Sequence, residues 1–179
     1  MVAEKLGIYE PRGMQIKLSG KFNLAKVYQV VADWFGRHHF EYHENRYKDK
    51  PCAYEGSTMD INMYGFYYKD EYFKYEIKVD FHLWGYYEKE VVINGKKQIQ
   101  GQGKIQIDIM PELITDWKNR YPSSKLAKTR TEKFYAWLNN LLIIIKYNEI
   151  LLKEVGFLDP LSQTLANELK IAMGMDSVR

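Results

Sequence analysis

At 179 residues the chain has the size of one domain with a sizeable core, and 46% hydrophobic against 27% charged residues excludes a disordered polymer. A formal net charge of +3 is too small to argue for nucleic acid by itself, although it leaves room for local patches. The single cysteine, Cys52, excludes an intramolecular disulfide, and the longest apolar run, Leu141 to Ile145, falls far short of the ~18 residues a membrane span needs.

Residues 1–13 read as an extended arm, ended by Pro11 and Gly13 and lacking the basic-then-apolar pattern of a signal peptide. One α+β domain is expected over 14–179, in a soluble cytoplasmic protein. Met14, Ile16 and Leu18 alternate with polar residues as a first strand. Asn23 is a fitting N-cap for a helix through Leu24, Val27, Tyr28, Val31 and Phe35, with Gly36 as its stop. From His39 the period becomes two, so a second strand runs to about Tyr47, and Met59, Ile61 and Met63 mark a third. "DEYFKYEIKVDFHLW", from Asp70 to Trp84, is a long two-faced fourth strand. Asn94-Gly95 between two β-prone runs predicts a two-residue hairpin turn, because both central residues need positive φ. The fifth strand returns through Ile105, Ile107 and Ile109, with a bulge or bend at Gly101 and Gly103 and with Pro111 ending the pairing or at an edge. A long helix is predicted from about Ser124 to Val155 with Gly156 as C-cap, and Asp159-Pro160 opens a short last helix.

The expected fold is therefore a curved antiparallel sheet of about five to six strands packed in two layers on a long C-terminal helix, with one helix in the N-terminal half and one short last helix. This element order resembles the helix-grip architecture of START-like and polyketide-cyclase-like proteins, which implies a sheet wrapped round the long helix. The "VDFHLW…NGKK…G" stretch is also similar to that of small uncharacterised archaeal proteins, a likeness that implies no function.

Four functional readings follow. In the first, a binding module without catalysis holds an apolar ligand or a partner's apolar segment between sheet and long helix, lined by Tyr75, Phe81, Trp84 and Trp137. In the second, the basic segment Lys118, Arg120, Lys125, Lys128, Arg130 and Lys133, with Trp117, Tyr121, Phe134 and Tyr135 in or beside it, contacts RNA or the ribosome through phosphates and bases. Cations at a helix start oppose its dipole, so they call for another reason. In the third, the broad apolar run "WLNNLLIIIKYNEILL" or a sheet edge joins copies of the chain in a homo-oligomer. In the fourth, His39, Glu41 and His43, at alternate positions of one strand, hold zinc or iron, with His82 as a further nitrogen if the strands are neighbours. Without that metal no cofactor is expected. "QGQGK" at Gln100 to Lys104 lacks the spacing, the Ser/Thr and the helix of a phosphate loop. Cys52 follows Pro51 in a turn and has no fixed partner, and Ser123 and Ser124 read as helix caps, so the residues weigh against an enzyme.

Overall fold

The computed structural model describes residues 4–9, 13–51, 56–93, 96–118 and 128–175. In chain order they form β1 (Glu4–Gly7), β2 (Met14–Phe22), α1 (Leu24–Arg37), β3 (Glu41–Lys50), β4 (Ser57–Tyr68), β5 (Phe73–Ile93), β6 (Lys96–Thr115) and α2 (Arg130–Ala172). All strand pairings are antiparallel, in the order β1-β6-β5-β4-β3, with β2 also on β6. This is the α+β, antiparallel class expected from the alternation.

The arm is part of the sheet. β1 and β2 lie end to end along one edge of β6, β1 on 112–115 and β2 on 101–109. Pro111 falls in the gap between them. Its carbonyl accepts from Ile8 N at 3.1 Å on that side. In an antiparallel strand a residue's N and C=O face the same neighbour. The missing N–H of Pro111 is therefore aimed at the gap, and the pairing with β5 continues to Thr115 without losing a bond.

Period-two alternation sends one side of each strand inward. Ile61, Met63, Ile77, Val79, Phe81, Leu83, Ile105, Ile107, Ile109 and Leu113 are buried against Val27, Val31, Trp34 and Phe35 of α1 and Leu158, Leu165 and Leu169 of α2. At Gly65 the helix touches the strand directly: a Cβ there would stand 2.4 Å from Phe35 Cδ1. The bend predicted at Gly101 and Gly103 is on the opposite strand. Gly85 takes φ +59 and the register shifts between Trp84 and Tyr87, which is the bulge itself. Gly101 instead makes room for Tyr86, whose Cε2 would lie 2.4 Å from an added Cβ. The hairpin turn at Asn94-Gly95 lies outside the described residues, but Ile93 pairs with Lys96, as a two-residue turn requires.

Two boundaries differ from expectation. His39 has φ +59 and sits in the turn after α1, so β3 begins at Glu41. The predicted break between two C-terminal helices is absent: α2 is one helix of 43 residues with Pro160 inside it. Thr129 is its N-cap, in a capping box with Glu132, and the part of the expected start that falls in 119–127 lies outside the described residues. Tertiary contact overrides the stop signals. Asp159 does not cap a helix; its carboxylate accepts from Tyr9 and from Gln163 Nε2. Leu158, Ser162, Leu165 and Leu169 keep one buried stripe running across the proline. Trp34 Nε1 donates to Thr164 Oγ1 at 3.3 Å and Arg37 pairs with Glu168, tying α2 to α1. No helix among the described residues is long and apolar enough to cross a membrane.

Candidate nucleic-acid interface

On β4, Tyr64, Phe66 and Tyr68 alternate with Met63, Gly65 and Tyr67, so three aromatic side chains share the outer face of the sheet. β3 brings His43 opposite Tyr64. The His43 ring stacks on Phe66 at 5.1 Å between centroids and 11° between planes, and on Tyr64 at 5.3 Å. Phe66 meets Tyr68 edge-on at 5.2 Å, and Tyr68 meets Trp117, just past β6, at 4.5 Å. Trp117 is held there by Nε1, which donates to Asp70 O at 3.0 Å. The result is a continuous row of five rings across the outer face.

Two cations lie on the row. Lys74, opposite Tyr68 on β5, holds its ammonium 4.1 Å above the Phe66 ring and 5.4 Å from that of Tyr68. Lys118 Nζ is 5.1 Å from the Trp117 ring and 3.6 Å from a Glu71 carboxylate. Exposed Glu41, opposite Phe66 on β3, bounds the row on its edge side.

The rest of the outer face is acidic or neutralised. Lys78 pairs with Glu76 and Glu112, and Lys5 reaches the same two carboxylates. Further along, Asn62 Nδ2 donates to Asp80 Oδ1 at 2.7 Å, and Gln106 Nε2 donates to both Asp108 oxygens. His82 Nδ1 lies 2.9 Å from Asp60 Oδ1, and that hydrogen bond holds the Asp60 carboxyl below its ordinary range. The aromatic end thus carries Lys74 and Lys118 beside Glu41, Glu71 and Glu76, and the other end carries Asp60, Asp80 and Asp108 with Arg46 and Lys48 near Asp60.

The sequence-predicted residues fall in different places. Tyr75 and Phe81 are buried on the inner face, packed into the core. The Tyr75 hydroxyl donates to Glu154 on α2, a carboxylate also bonded by Lys69. Burial, and then that hydrogen bond, pushes the Tyr75 phenol well above its ordinary pKa. Trp84 is exposed on the outer face beside His82, and Trp137 is exposed on α2. The four therefore do not converge on one pocket, because Trp84 has the opposite strand parity from Tyr75 and Phe81. A surface hollow of about 550 Å³ lies instead on α1, lined by Val30, Ala32, Asp33, Gly36 and Arg37.

His39, Glu41 and His43 do not form a ligand set either. His39 is in a turn, and His43 is engaged between two aromatic rings. His82 pairs across from Asp60, four positions along β4 from the partner of His43, or ~13 Å away. Among the described residues no three His, Cys, Asp or Glu side chains gather as a metal site. Of the basic segment, Lys118 joins the ring row, while Lys128, Arg130 and Lys133 are exposed at the start of α2. Arg120 and Lys125 lie outside the described residues. Glu132 accepts from the backbone N–H of Lys128 and Thr129, which holds its carboxyl low and offsets the cations nearby.

Sequence reasoning passed over Tyr64, Phe66, Tyr68 and Lys74. The signal was available: "YGFYY" puts aromatics at i, i+2 and i+4, and only the strand's inward parity was needed to see which face they take.

No protein-family model, no curated protein and no solved structure matches the chain.

Proposed function

We propose that the protein binds single-stranded RNA on the aromatic half of the outer sheet face, with bases stacked on the row His43, Tyr64, Phe66, Tyr68 and Trp117. The observation that supports this is the unbroken row itself, with Lys74 and Lys118 seated on it. Alternate residues on a strand recur every ~6.6 Å, about twice the ~3.4 Å rise of stacked bases, so the platform suits a strand whose bases are splayed apart. Lysine stems are long and flexible. Lys74 covers Phe66 in the free protein and can swing its ammonium to a phosphate as a base takes its place. Lys128, Arg130 and Lys133 are further exposed cations that the salt series tests.

The test is fluorescence anisotropy of labelled single-stranded RNA oligomers against the full chain over a salt series. Phe66→Ala, Tyr68→Ala and Trp117→Ala should each weaken binding by ~1–3 kcal/mol with circular dichroism unchanged. Lys74→Gln with Lys118→Gln should lower the slope of log K on log salt by about 0.7 per cation. Binding that ignores both the ring variants and salt would rule the reading out.

A further inference from the structure

β3 is an edge of the sheet, and among the described residues β4 is its one strand partner. Its other side presents backbone N–H and C=O groups that a further strand can join. Every residue of β3 is exposed or half-buried, and its charges are divided along its length. The first half holds Glu41 and Glu44, and the second holds Arg46, Lys48 and Lys50 with Asp49. The register with β4 fixes the face of each residue, because residues directly opposite share a face. Glu41, His43, Arg46, Lys48 and Lys50 oppose outer-face residues of β4, from Phe66 to Thr58. Tyr42, Glu44, Tyr47 and Asp49 oppose Gly65, Met63, Ile61 and Met59 on the inner face. In an unbroken strand, residues nine apart take opposite faces. Here the bulge between Glu44 and Arg46 adds one residue, so Glu41 and Lys50 share the outer face.

We infer that β3 pairs antiparallel with β3 of a second copy, with Glu41 opposite Lys50, Tyr42 opposite Asp49, His43 opposite Lys48 and Glu44 opposite Tyr47. Every one of these pairs joins outer face to outer face or inner to inner, and the two-fold axis passes through the bulge. Without the bulge the same register would set each outer residue against an inner one. The charge pattern chooses the occupant. An antiparallel pair lays the acidic half of one copy against the basic half of the other, and the two-fold makes the Glu41 to Lys50 contact twice. A parallel pair would bring like ends together. The other edge of the sheet is no substitute: β2 carries Lys17 and Lys21 and no carboxylate, so it leaves Arg46, Lys48 and Lys50 unanswered. Both outer faces then lie on one side of a joined sheet. The pairing uses the backbone edge and these charges, and does not depend on RNA binding.

The test is light scattering of the full-length protein without RNA through a ~100-fold dilution series. Ten residues a side is fewer than the ~20–30 of a standard interface, so the pair should be reversible. The expected mass is twice 21.3 kDa, falling towards one copy on dilution. Glu41→Lys and Lys50→Glu should each raise the dissociation constant by ~10-fold, because each turns two attractions into two repulsions. The chain carrying both changes should pair about as well as the original. Both side chains are exposed, so circular dichroism should be the same for all four chains. A single-copy mass at every concentration, a single swap that pairs as before, or a double swap that does not restore pairing would overturn the inference.

Discussion

One helix, two environments, gives the sharpest test of the fold. Leu165 is 0% exposed between α1 and the sheet, whereas Leu152, thirteen residues upstream on α2, is 70% exposed. The same substitution to Ala should therefore differ greatly at the two sites. At Leu165 the lost transfer energy and the remaining cavity together cost ~3–5 kcal/mol. At Leu152 only about a third of the side chain leaves a buried setting and no cavity forms, so the loss is ~0.5 kcal/mol, partly offset by the better helix propensity of Ala. Urea unfolding followed by circular dichroism measures both. With a slope of ~2 kcal/mol per molar, L165A should lower the midpoint by ~1.5–2.5 M and L152A by no more than ~0.3 M. Equal losses would mean that the Leu152 side of α2 is packed as the Leu165 side is, and the assignment of one buried stripe through Leu158, Ser162, Leu165 and Leu169 would be wrong.

Other outcomes follow from the same geometry. Gly65→Ala drives a methyl to 2.4 Å from the Phe35 ring and should cost ~1–3 kcal/mol in the same unfolding assay. The Tyr75 phenol is raised by burial and by Glu154, so its contribution is complete below the ordinary phenol pKa of ~10 and is lost as pH rises from there towards its folded value. Tyr75→Phe should flatten the alkaline limb of a stability-pH curve while lowering stability near neutrality, because Glu154 loses a donor. The Asp60 carboxyl is depressed by His82, so its contribution is present above the ordinary carboxylate range and lost as pH falls through its lowered value. Asp60→Asn should make the acid limb shallower, and an unchanged limb would place the acid transition elsewhere.

How much of this was legible beforehand can be argued residue by residue. The alternation of Phe73 to Leu83, the Asn94-Gly95 turn and the Asn23 cap depend on neighbours along the chain, and the strands, α1 and the α+β class followed from them. Gly156 and Asp159-Pro160 are equally local signals, yet the helix runs through them. A proline removes one N–H, a loss that the burial of Leu158, Ser162, Leu165 and Leu169 outweighs. The pocket residues failed to meet for a related reason. Aromatic content says how much ring area exists, while strand parity and a bulge at Gly85 decide which face each ring takes.

The candidate site divides in the same way. The sequence alone determined the aromatics of "YGFYY", the cation-rich stretch from Lys118 and the broad apolar run of α2, since each is a matter of composition and period. Only the tertiary structure decided that His43 and Trp117, 74 positions apart, belong to one row, because cross-strand register joins residues that no local pattern relates. It also decided that α2 runs on through Pro160, because the sheet and α1 bury one stripe of Leu158, Ser162, Leu165 and Leu169 across the proline, and that contact outweighs the local stop signals.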